Sequence, residues 1–158
     1  MRSRSWRSLA RPQQLATLTL LLAAWTASGC FSQNQLVNGK REGPWTTYYQ
    51  FGQKQESGNY LDGERAGTWR RWNVNGELQW VMNFEDGERH GPYSAFYNDG
   101  QPRERGQFEH GKKAGEWFRY FPGNKGAQRI LYADGELVSR EDLADAPAPP
   151  ASAASPAE

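Results

Sequence analysis

A 24-residue repeat, with glycine and aromatic residues at fixed positions, constrains this sequence more than any other feature. Four units align without insertion over residues 38–61, 62–85, 86–109 and 110–133, and a fifth begins at Asp134. Every complete unit has glycine at positions 2 and 6, a basic residue at position 4, and aromatic residues at positions 8, 11 and 23. A fixed period of roughly 20 to 50 residues is typical of stacked or meandering repeat architectures.

Dipeptides that end in glycine, mostly Asp-Gly and Asn-Gly, mark two turns in most units, one at the unit boundary and one near the middle. Asp-Gly and Asn-Gly between aromatic runs favour type I′ hairpin turns, because both central residues of such a turn need positive φ. Each unit is therefore predicted to be two strands of about five to seven residues. The fold class predicted is all-β, an antiparallel meander of repeated β-hairpins in one twisted open sheet, without a helix. The predicted turn glycines at position 2 are Gly39, Gly63, Gly87 and Gly111.

Side-chain alternation along these strands separates the aromatic residues onto two faces. If the mid-unit turn occupies positions 14 and 15, position 8 lies opposite position 21 and shares a face with positions 12 and 23. Position 21 is glycine in the first and third units, Met82 in the second and Ile130 in the fourth, and a large ring over a cross-strand glycine is a favourable pair. We predict that this face is the core and holds Trp45, Tyr49, Tyr60, Trp69, Phe84, Tyr93, Tyr97, Phe108, Trp117, Phe121 and Tyr132.

The opposite face is polar except for one ring per unit at position 11. With two strands per unit these rings would stand roughly 10 Å apart, which makes them a candidate binding surface. The alternative is that a bulge or curling of the sheet buries them, since a register slip of one residue exchanges the faces. The four candidate binding residues are Tyr48, Trp72, Phe96 and Tyr120.

The recurring glycine and aromatic positions resemble the MORN repeat, and more closely its bacterial variant, which also occurs in antitoxin proteins. This resemblance covers all four units and implies a non-catalytic module for protein interaction or scaffolding, with toxin neutralisation as a special case. Bacterial cell-wall-binding repeats, which are also rich in Trp, Tyr and Asn-Gly, are a second resemblance. They have a shorter unit and adjacent aromatic pairs. They imply the alternative function, binding of peptidoglycan or another envelope glycan by the position-11 rings.

The N-terminal segment predicts export and a lipid anchor. A basic start is followed by an apolar run, LATLTLLLAAWTA, which is shorter than the roughly 20 residues of a membrane-spanning helix. The run ends at TASGC, in which Cys30 is the single cysteine of the chain. This resembles the lipobox of bacterial lipoproteins, with Ala27 at the place of the usual leucine. It implies cleavage before Cys30 and lipidation of its thiol, whereas a core cysteine after ordinary secretory cleavage is the alternative.

Four regions follow from these patterns. They are a signal peptide (1–29), a lipidated N-terminus and linker (30–37), the repeat domain (38–140), and a disordered acidic tail rich in Pro and Ala (141–158). The chain has 19 basic and 18 acidic residues. Subtracting four arginines before Cys30 and four acids after residue 140 leaves 15 and 14 in the middle. Neither sign dominates, so nucleic acid is not expected as a partner.

The sequence also offers little for chemistry. His90 and His110 are the two histidines, and both lie in the repeated boundary turn, where other units have Ala, Glu, Asn or Asp. Such variation at equivalent positions favours tolerance over catalysis. No cysteine and histidine cluster has metal-site spacing and no phosphate-binding loop is present, so no enzyme activity, metal or cofactor is expected. The expected partners are the membrane, through the lipid, and an unidentified protein.

The lipid anchor gives the first testable prediction. Phe31, rather than the Asp that retains lipoproteins in the inner membrane, follows Cys30, so the resemblance implies the outer membrane of a host with two membranes. Cys30→Ser should release the protein into the soluble periplasmic fraction or leave the uncleaved precursor. Fractionation and mass spectrometry test this, and an unchanged outer-membrane fraction of unchanged mass would contradict it.

Overall fold

The computed structural model describes residues 33–123, 125–145 and 147, which form one sheet of ten antiparallel strands. The strands follow one another in chain order, and each is hydrogen-bonded to its neighbours in sequence. The predicted all-β meander is therefore confirmed. The strands are β1 (Gln35–Val37), β2 (Lys40–Tyr48), β3 (Lys54–Leu61), β4 (Glu64–Trp72), β5 (Leu78–Glu85), β6 (Glu88–Phe96), β7 (Pro102–Glu109), β8 (Lys112–Tyr120), β9 (Ala127–Ala133) and β10 (Glu136–Leu143).

The sheet extends beyond both predicted boundaries of the repeat domain. β1 lies within the segment predicted as a linker, and β10 continues to Leu143, three residues beyond residue 140. β10 continues because its ladder with β9 runs as far as the pair Leu143 and Ala127. The predicted signal peptide and Cys30 lie outside the described residues. In the part of the chain that the structure describes, no helix is long and apolar enough to cross a membrane.

The boundary turns have the conformation that the Asp-Gly pairs predict. Asp62 has a φ of 53° and Gly63 a φ of 92°, so both central residues are in the left-handed region, as a type I′ turn requires. The Gly63 N–H donates a hydrogen bond of 3.0 Å to the carbonyl of Arg41, at position 4 of the preceding unit. The same bond recurs from Gly87 and from Gly111. Successive boundary turns are thus joined along one margin of the sheet.

The mid-unit turns differ from the predicted type I′ geometry. In the second unit the Gly76 N–H donates to the Asn73 carbonyl at 3.0 Å, and the Asn73 N–H donates to the Glu77 carbonyl at 2.9 Å. Only Gly76 has positive φ in this loop, which is the pattern of a three-residue loop that ends in a left-handed glycine. The side chain of Asn73 stabilises the loop by accepting the N–H groups of Asn75 and Glu77.

The predicted register between positions 8 and 21 is confirmed, but the ring that covers the glycine comes from the next unit. Trp45 is paired with Gly58 across β2 and β3. The indole of Trp69, on β4, lies over that glycine, because an added Cβ on Gly58 would stand only 2.3 Å from Trp69 Cδ2. The indole N–H also donates to the Asn59 carbonyl at 3.1 Å. Trp69 is only 1% exposed.

A bulge explains how the tryptophan reaches across to the neighbouring unit. In the ladder between β3 and β4, Ser57 pairs with Arg70 but Asn59 pairs with Ala66, so three residues of β4 lie opposite Gly58 alone. Gly67, the first of those three, has a φ of 65°. A bulge with a left-handed glycine bends the strand and redirects the following side chain. Trp117 covers Gly106 in the same way in the second half of the sheet.

The core consists of two rows of contacting rings, Trp45 to Phe84 and Tyr93 to Tyr132, on the face that Trp69 occupies, which we call the tryptophan face. Neighbouring rings meet mostly edge to face, as Tyr60 and Trp69 do with centroids 5.0 Å apart. Trp69, Trp117, Tyr60 and Phe108 are buried as predicted, together with Ile130, whereas most other predicted rings are half-buried. Phe121 was predicted to be core, and this is wrong because it is 38% exposed. It belongs to the last complete unit, which only the incomplete fifth unit with β10 follows.

The close contact between Trp69 and Gly58 gives a prediction for stability. Gly58→Ala should destabilise the fold by about 1–3 kcal/mol, since the methyl group would displace a rigid buried ring. Chemical denaturation measures this cost. In a Trp69→Ala background the same substitution should cost less than about 0.5 kcal/mol, because the obstructing ring is gone. Equal costs in the two backgrounds would show that the ring is not the cause.

Candidate functional site

The basic residue at position 4 lies over the aromatic rings of the tryptophan face. The Arg65 guanidinium carbon is 4.2 Å from the centroid of the Trp69 ring, and Lys113 Nζ is 3.8 Å from that of Trp117. Arg41 stacks on Trp45 at 4.9 Å. Such cation–π contacts contribute about 0.5–2 kcal/mol each, depending on how well water is excluded. The fixed place of the basic residue is thus explained in three units by stacking on the ring at position 8, whereas Arg89 in the third unit stacks on Phe108 at position 23.

Two carboxylates hold Arg65 and Lys113, the cations of the second and fourth units, in place. Glu56 accepts Arg65 at 2.8 Å and Arg71 at 3.4 Å, and Glu104 accepts Lys113 at 2.8 Å. The side chains of Glu56 and Glu104 are only 16% and 17% exposed. Charges this poorly solvated need their partners, because a lone buried carboxylate is strongly unfavourable. Each carboxylate thereby joins two adjacent units.

The structural repeat is consequently 48 residues, twice the sequence unit. Glu at position 19 and Gly at position 21 occur together only in the first and third units, as Glu56 with Gly58 and Glu104 with Gly106. The tryptophan that covers the glycine belongs in each case to the unit that follows. We call residues 38–85 the first module and residues 86–133 the second module. The sequence feature that indicates this longer repeat is Glu-x-Gly, which recurs after 48 residues. Alignment of the 24-residue units alone does not reveal it.

At the sheet margin where the mid-unit turns lie, hydrogen bonds also join the units in pairs. The Tyr49 hydroxyl donates to the Trp72 carbonyl at 3.0 Å, and the Tyr97 hydroxyl donates to the Tyr120 carbonyl at 2.9 Å. In the second unit the equivalent residue is Asn73, whose side chain serves its own turn instead. The link therefore forms inside each module and not between Asn73 and the second module.

We call the boundary between the first and second modules the joint. It is open because β5 carries other residues on the tryptophan face than β3 and β7 do. Trp80 and Met82 occupy the places that Glu and Gly hold in β3 and β7. Trp80 is paired with Arg71 on β4 and with Ala95 on β6, and Met82 is paired with Trp69 and Tyr93. An open groove of about 600 Å³ results, which we call the joint groove. Its lining includes Arg71, Trp80, Met82, Phe84, Arg89 and Tyr93.

Arg89 and Tyr93 are two polar side chains in the lining of the joint groove. Arg89 stacks on Phe108 at 4.7 Å, and it makes no ion pair with any residue that the structure describes. Burial raises the pKa of the Tyr93 phenol above 10.0, and Glu104 adds to the rise while Arg103 and Arg89 oppose it. The phenol therefore stays neutral at physiological pH and can donate a hydrogen bond.

The predicted binding row at position 11 lies on the polar face but is not uniformly exposed. Tyr48 is 50% exposed, Trp72 and Phe96 are half-buried, and Tyr120 is only 6% exposed. Tyr120 is covered because the C-terminal segment returns over it, and its hydroxyl donates to the Pro147 carbonyl at 3.3 Å. Burial also raises the pKa of Tyr120. For Tyr120 the alternative of a buried ring is therefore the one observed, and binding by the remaining rings of the row stays a prediction.

The two histidines lie together, which their separation in sequence did not indicate. The ring centroids of His90 and His110 are 5.3 Å apart, and His90 Nε2 is 3.5 Å from a carboxylate oxygen of Glu85. Both residues are at the margin formed by the boundary turns. Within residues 33–123, 125–145 and 147, no group of three or more His, Cys, Asp or Glu side chains could hold a metal ion.

The two faces of β4 can be distinguished by truncating two tryptophans on one strand. Trp69→Ala should cost about 3–5 kcal/mol, the usual loss for a fully buried aromatic side chain. Trp72→Ala should cost clearly less, because its ring is on the polar face and half-buried. Denaturation curves of both variants measure the difference. If Trp72→Ala unfolds the protein as strongly as Trp69→Ala, the polar face is part of the core and cannot serve as a binding surface.

Comparison with known protein families identifies the repeat type. The MORN repeat variant matches residues 41–62 and 89–110. The two matches begin 48 residues apart (89 − 41), so each covers the first unit of one module. No curated protein matches the chain. The chain thus contains two matches to the MORN repeat variant in an antiparallel meander, an architecture that indicates a repeat-based interaction module of a generally non-catalytic type.

Proposed function

We propose that this protein is a non-catalytic interaction module of the bacterial cell envelope, held at the outer membrane by a lipid on Cys30 and binding a protein partner through its open sheet. The observation that carries the proposal is the joint groove on the tryptophan face. Neutralisation of a toxin would be one form of this function.

The groove is a place where the sheet does not complete its own packing. A sheet normally buries its apolar face against a second layer. Here all ten strands of the described part belong to one sheet, and the rings within each module are covered by that module's own cations. At the joint, Trp80, Met82 and Phe84 are only half-buried. A contiguous apolar surface with a polar rim is typical of an interaction site.

The proposed anchor would keep this sheet close to the membrane. Gln35, the first residue of β1, is five positions after Cys30 in the sequence (35 − 30). An extended chain advances roughly 3.3 Å per residue, so this segment reaches no more than about 17 Å. A lipid on Cys30 would therefore limit partners to proteins at or near the membrane surface.

The glycan alternative is favoured by one observation, the half-exposed ring of Tyr48 at the N-terminal end of the position-11 row. With Tyr120 buried, that row offers fewer rings than four units would suggest. We therefore place glycan binding second and include it as an arm of the test.

Site-specific photo-crosslinking in cells tests the proposal. A photoreactive residue at Glu88, an exposed residue on the rim of the joint groove, should yield an adduct with one discrete protein. Asp99, exposed at a mid-unit turn, is the control position and should yield none. A photoreactive residue at Tyr48 tests the glycan function. That function would be favoured if only this position gives an adduct and if the mass of the adduct changes on peptidoglycan digestion. Absence of a protein adduct at Glu88 in the folded, anchored protein would refute the protein-partner function.

A further inference from the structure

We infer that the joint groove binds an extended acidic segment of the partner, with two carboxylates separated by apolar side chains. This inference rests on the proposed function and specifies the chemistry of the partner. Three features carry it: an apolar floor with the period of a strand, cations beside both ends of that floor, and the closure of the same surface inside each module.

The floor of the joint groove is the tryptophan face of β5. Trp80, Met82 and Phe84 alternate along this strand and line the groove, and all three are half-buried. Alternate residues of a strand are about 6.6 Å apart, which is also the spacing of same-side residues in an extended peptide. A peptide that runs along β5 can therefore place every second side chain on this floor.

An arginine is paired with the residue at each end of the floor, and both arginines line the groove. The guanidinium of Arg89 stacks on Phe108 of β7, on the far side of β6 from the floor. Arg71 is paired with Trp80, and Arg89 is paired with Phe84. Phe84 is four positions after Trp80 (84 − 80), which corresponds to roughly 13 Å along a strand. In an extended peptide, carboxylates at residues i and i+4 have the same separation. Residue i+2 would then face Met82, between the two charges.

Both guanidinium groups have unused capacity to bind a carboxylate. Arg89 makes no ion pair with the described residues. The Arg71 side chain is 40% exposed and reaches Glu56, which it shares with Arg65, through Nη1 at 3.4 Å. Its Nη2 makes no ion pair with the described residues, whereas its Nε is buried and out of reach of a ligand. Carboxylates bind guanidinium through charge-assisted, often bidentate hydrogen bonds, which favours them over neutral ligands.

The charge of the groove also favours an acidic ligand. Its ionised lining consists of three cations, Arg65, Arg71 and Arg89, and two carboxylates, Glu56 and Glu88, a net charge of +1. Glu56 is already held by Arg65 and Arg71. Glu88 is exposed and lies at the end of β6, beside the boundary turn. The unpaired positive charge is therefore concentrated at Arg89.

The same surface is closed inside each module, so the groove is specific to the joint. On β3 the corresponding residues are Glu56 and Gly58, and Trp69 covers the glycine. On β7 they are Glu104 and Gly106, covered by Trp117. On β5 Trp80 and Met82 stand at these two positions, and Tyr93 takes the place of the tryptophan in the following unit.

A short peptide that carries only the inferred features provides the probe. We would titrate the full chain with acetyl-Glu-Ser-Leu-Ser-Glu-amide up to about 10 mM, using tryptophan fluorescence and calorimetry. Matched peptides replace both Glu by Gln or by Lys. The acidic peptide should bind about tenfold more tightly than the Gln peptide, and its binding should weaken with added salt. Equal binding of the Lys peptide, or no binding of the acidic peptide, would overturn the inference.

The repeat supplies a matched pair of variants. Arg89→Gln should weaken binding of the acidic peptide about tenfold, whereas Arg41→Gln, at the same unit position but over the closed rings of the first module, should change it by less than about twofold. Equal effects of the two substitutions would overturn the site. The double variant Trp80→Glu with Met82→Gly restores the pattern of β3 and should abolish binding. Circular dichroism checks that it folds, and the arginine pair decides the question if it does not.

The photo-crosslink at Glu88 separates this inference from the proposed function. A protein adduct that is lost in Arg89→Gln but kept in Arg41→Gln supports both. An adduct that persists unchanged in Arg89→Gln overturns the acidic segment and leaves the protein-partner function standing. Absence of an adduct in the unsubstituted protein overturns the proposed function itself, irrespective of the peptide titrations.

Discussion

The contact between a tryptophan ring and a glycine on the neighbouring strand is the interaction on which this structure depends. Trp69 on Gly58 and Trp117 on Gly106 place the largest side chains of the sheet against bare backbone, and both rings are almost completely buried. An aromatic side chain of this size buries about 150–250 Å², which corresponds to roughly 4–6 kcal/mol of hydrophobic stabilisation. A single-layered sheet has few other places where so much apolar area can leave water.

The other features of each module follow from that contact. The ring is exposed on its outer side unless something covers it, and the position-4 cation does so, as Arg65 does for Trp69. A cation held against a ring in a poorly solvated place is stabilised by a carboxylate, which Glu56 supplies. Because the glycine and the carboxylate belong to one unit while the ring and the cation belong to the next, packing couples units in pairs. The pairing leaves the joint between the modules as the place where the pattern is interrupted, and it is there that we propose a partner binds.

Much of the fold could be predicted because its determinants are local. Asp62 and Gly63 specify a type I′ turn through their own backbone preferences, and the period of two in a strand assigns Trp69 and Trp72 to opposite faces. The errors concern contacts that two units make together. The mid-unit loop depends on the side chain of Asn73, which binds its own backbone. The burial of Tyr120 depends on a C-terminal segment that the repeat pattern does not describe.

What the sequence by itself determined is the meander: the number of units, the places where the chain reverses, and the register that sets position 8 opposite position 21. These depend on residues close in sequence, whose turn geometry and side-chain alternation are decided within one hairpin. Only the tertiary structure decided that Trp69 covers Gly58 from the next unit, that Glu56 and Arg65 join adjacent units, and that Trp80 and Met82 line an open groove. The first two outcomes depend on a bulge between units, which shifts β4 against β3 and selects the side chains that meet. The groove depends on the side chains that β5 carries in place of Glu and Gly.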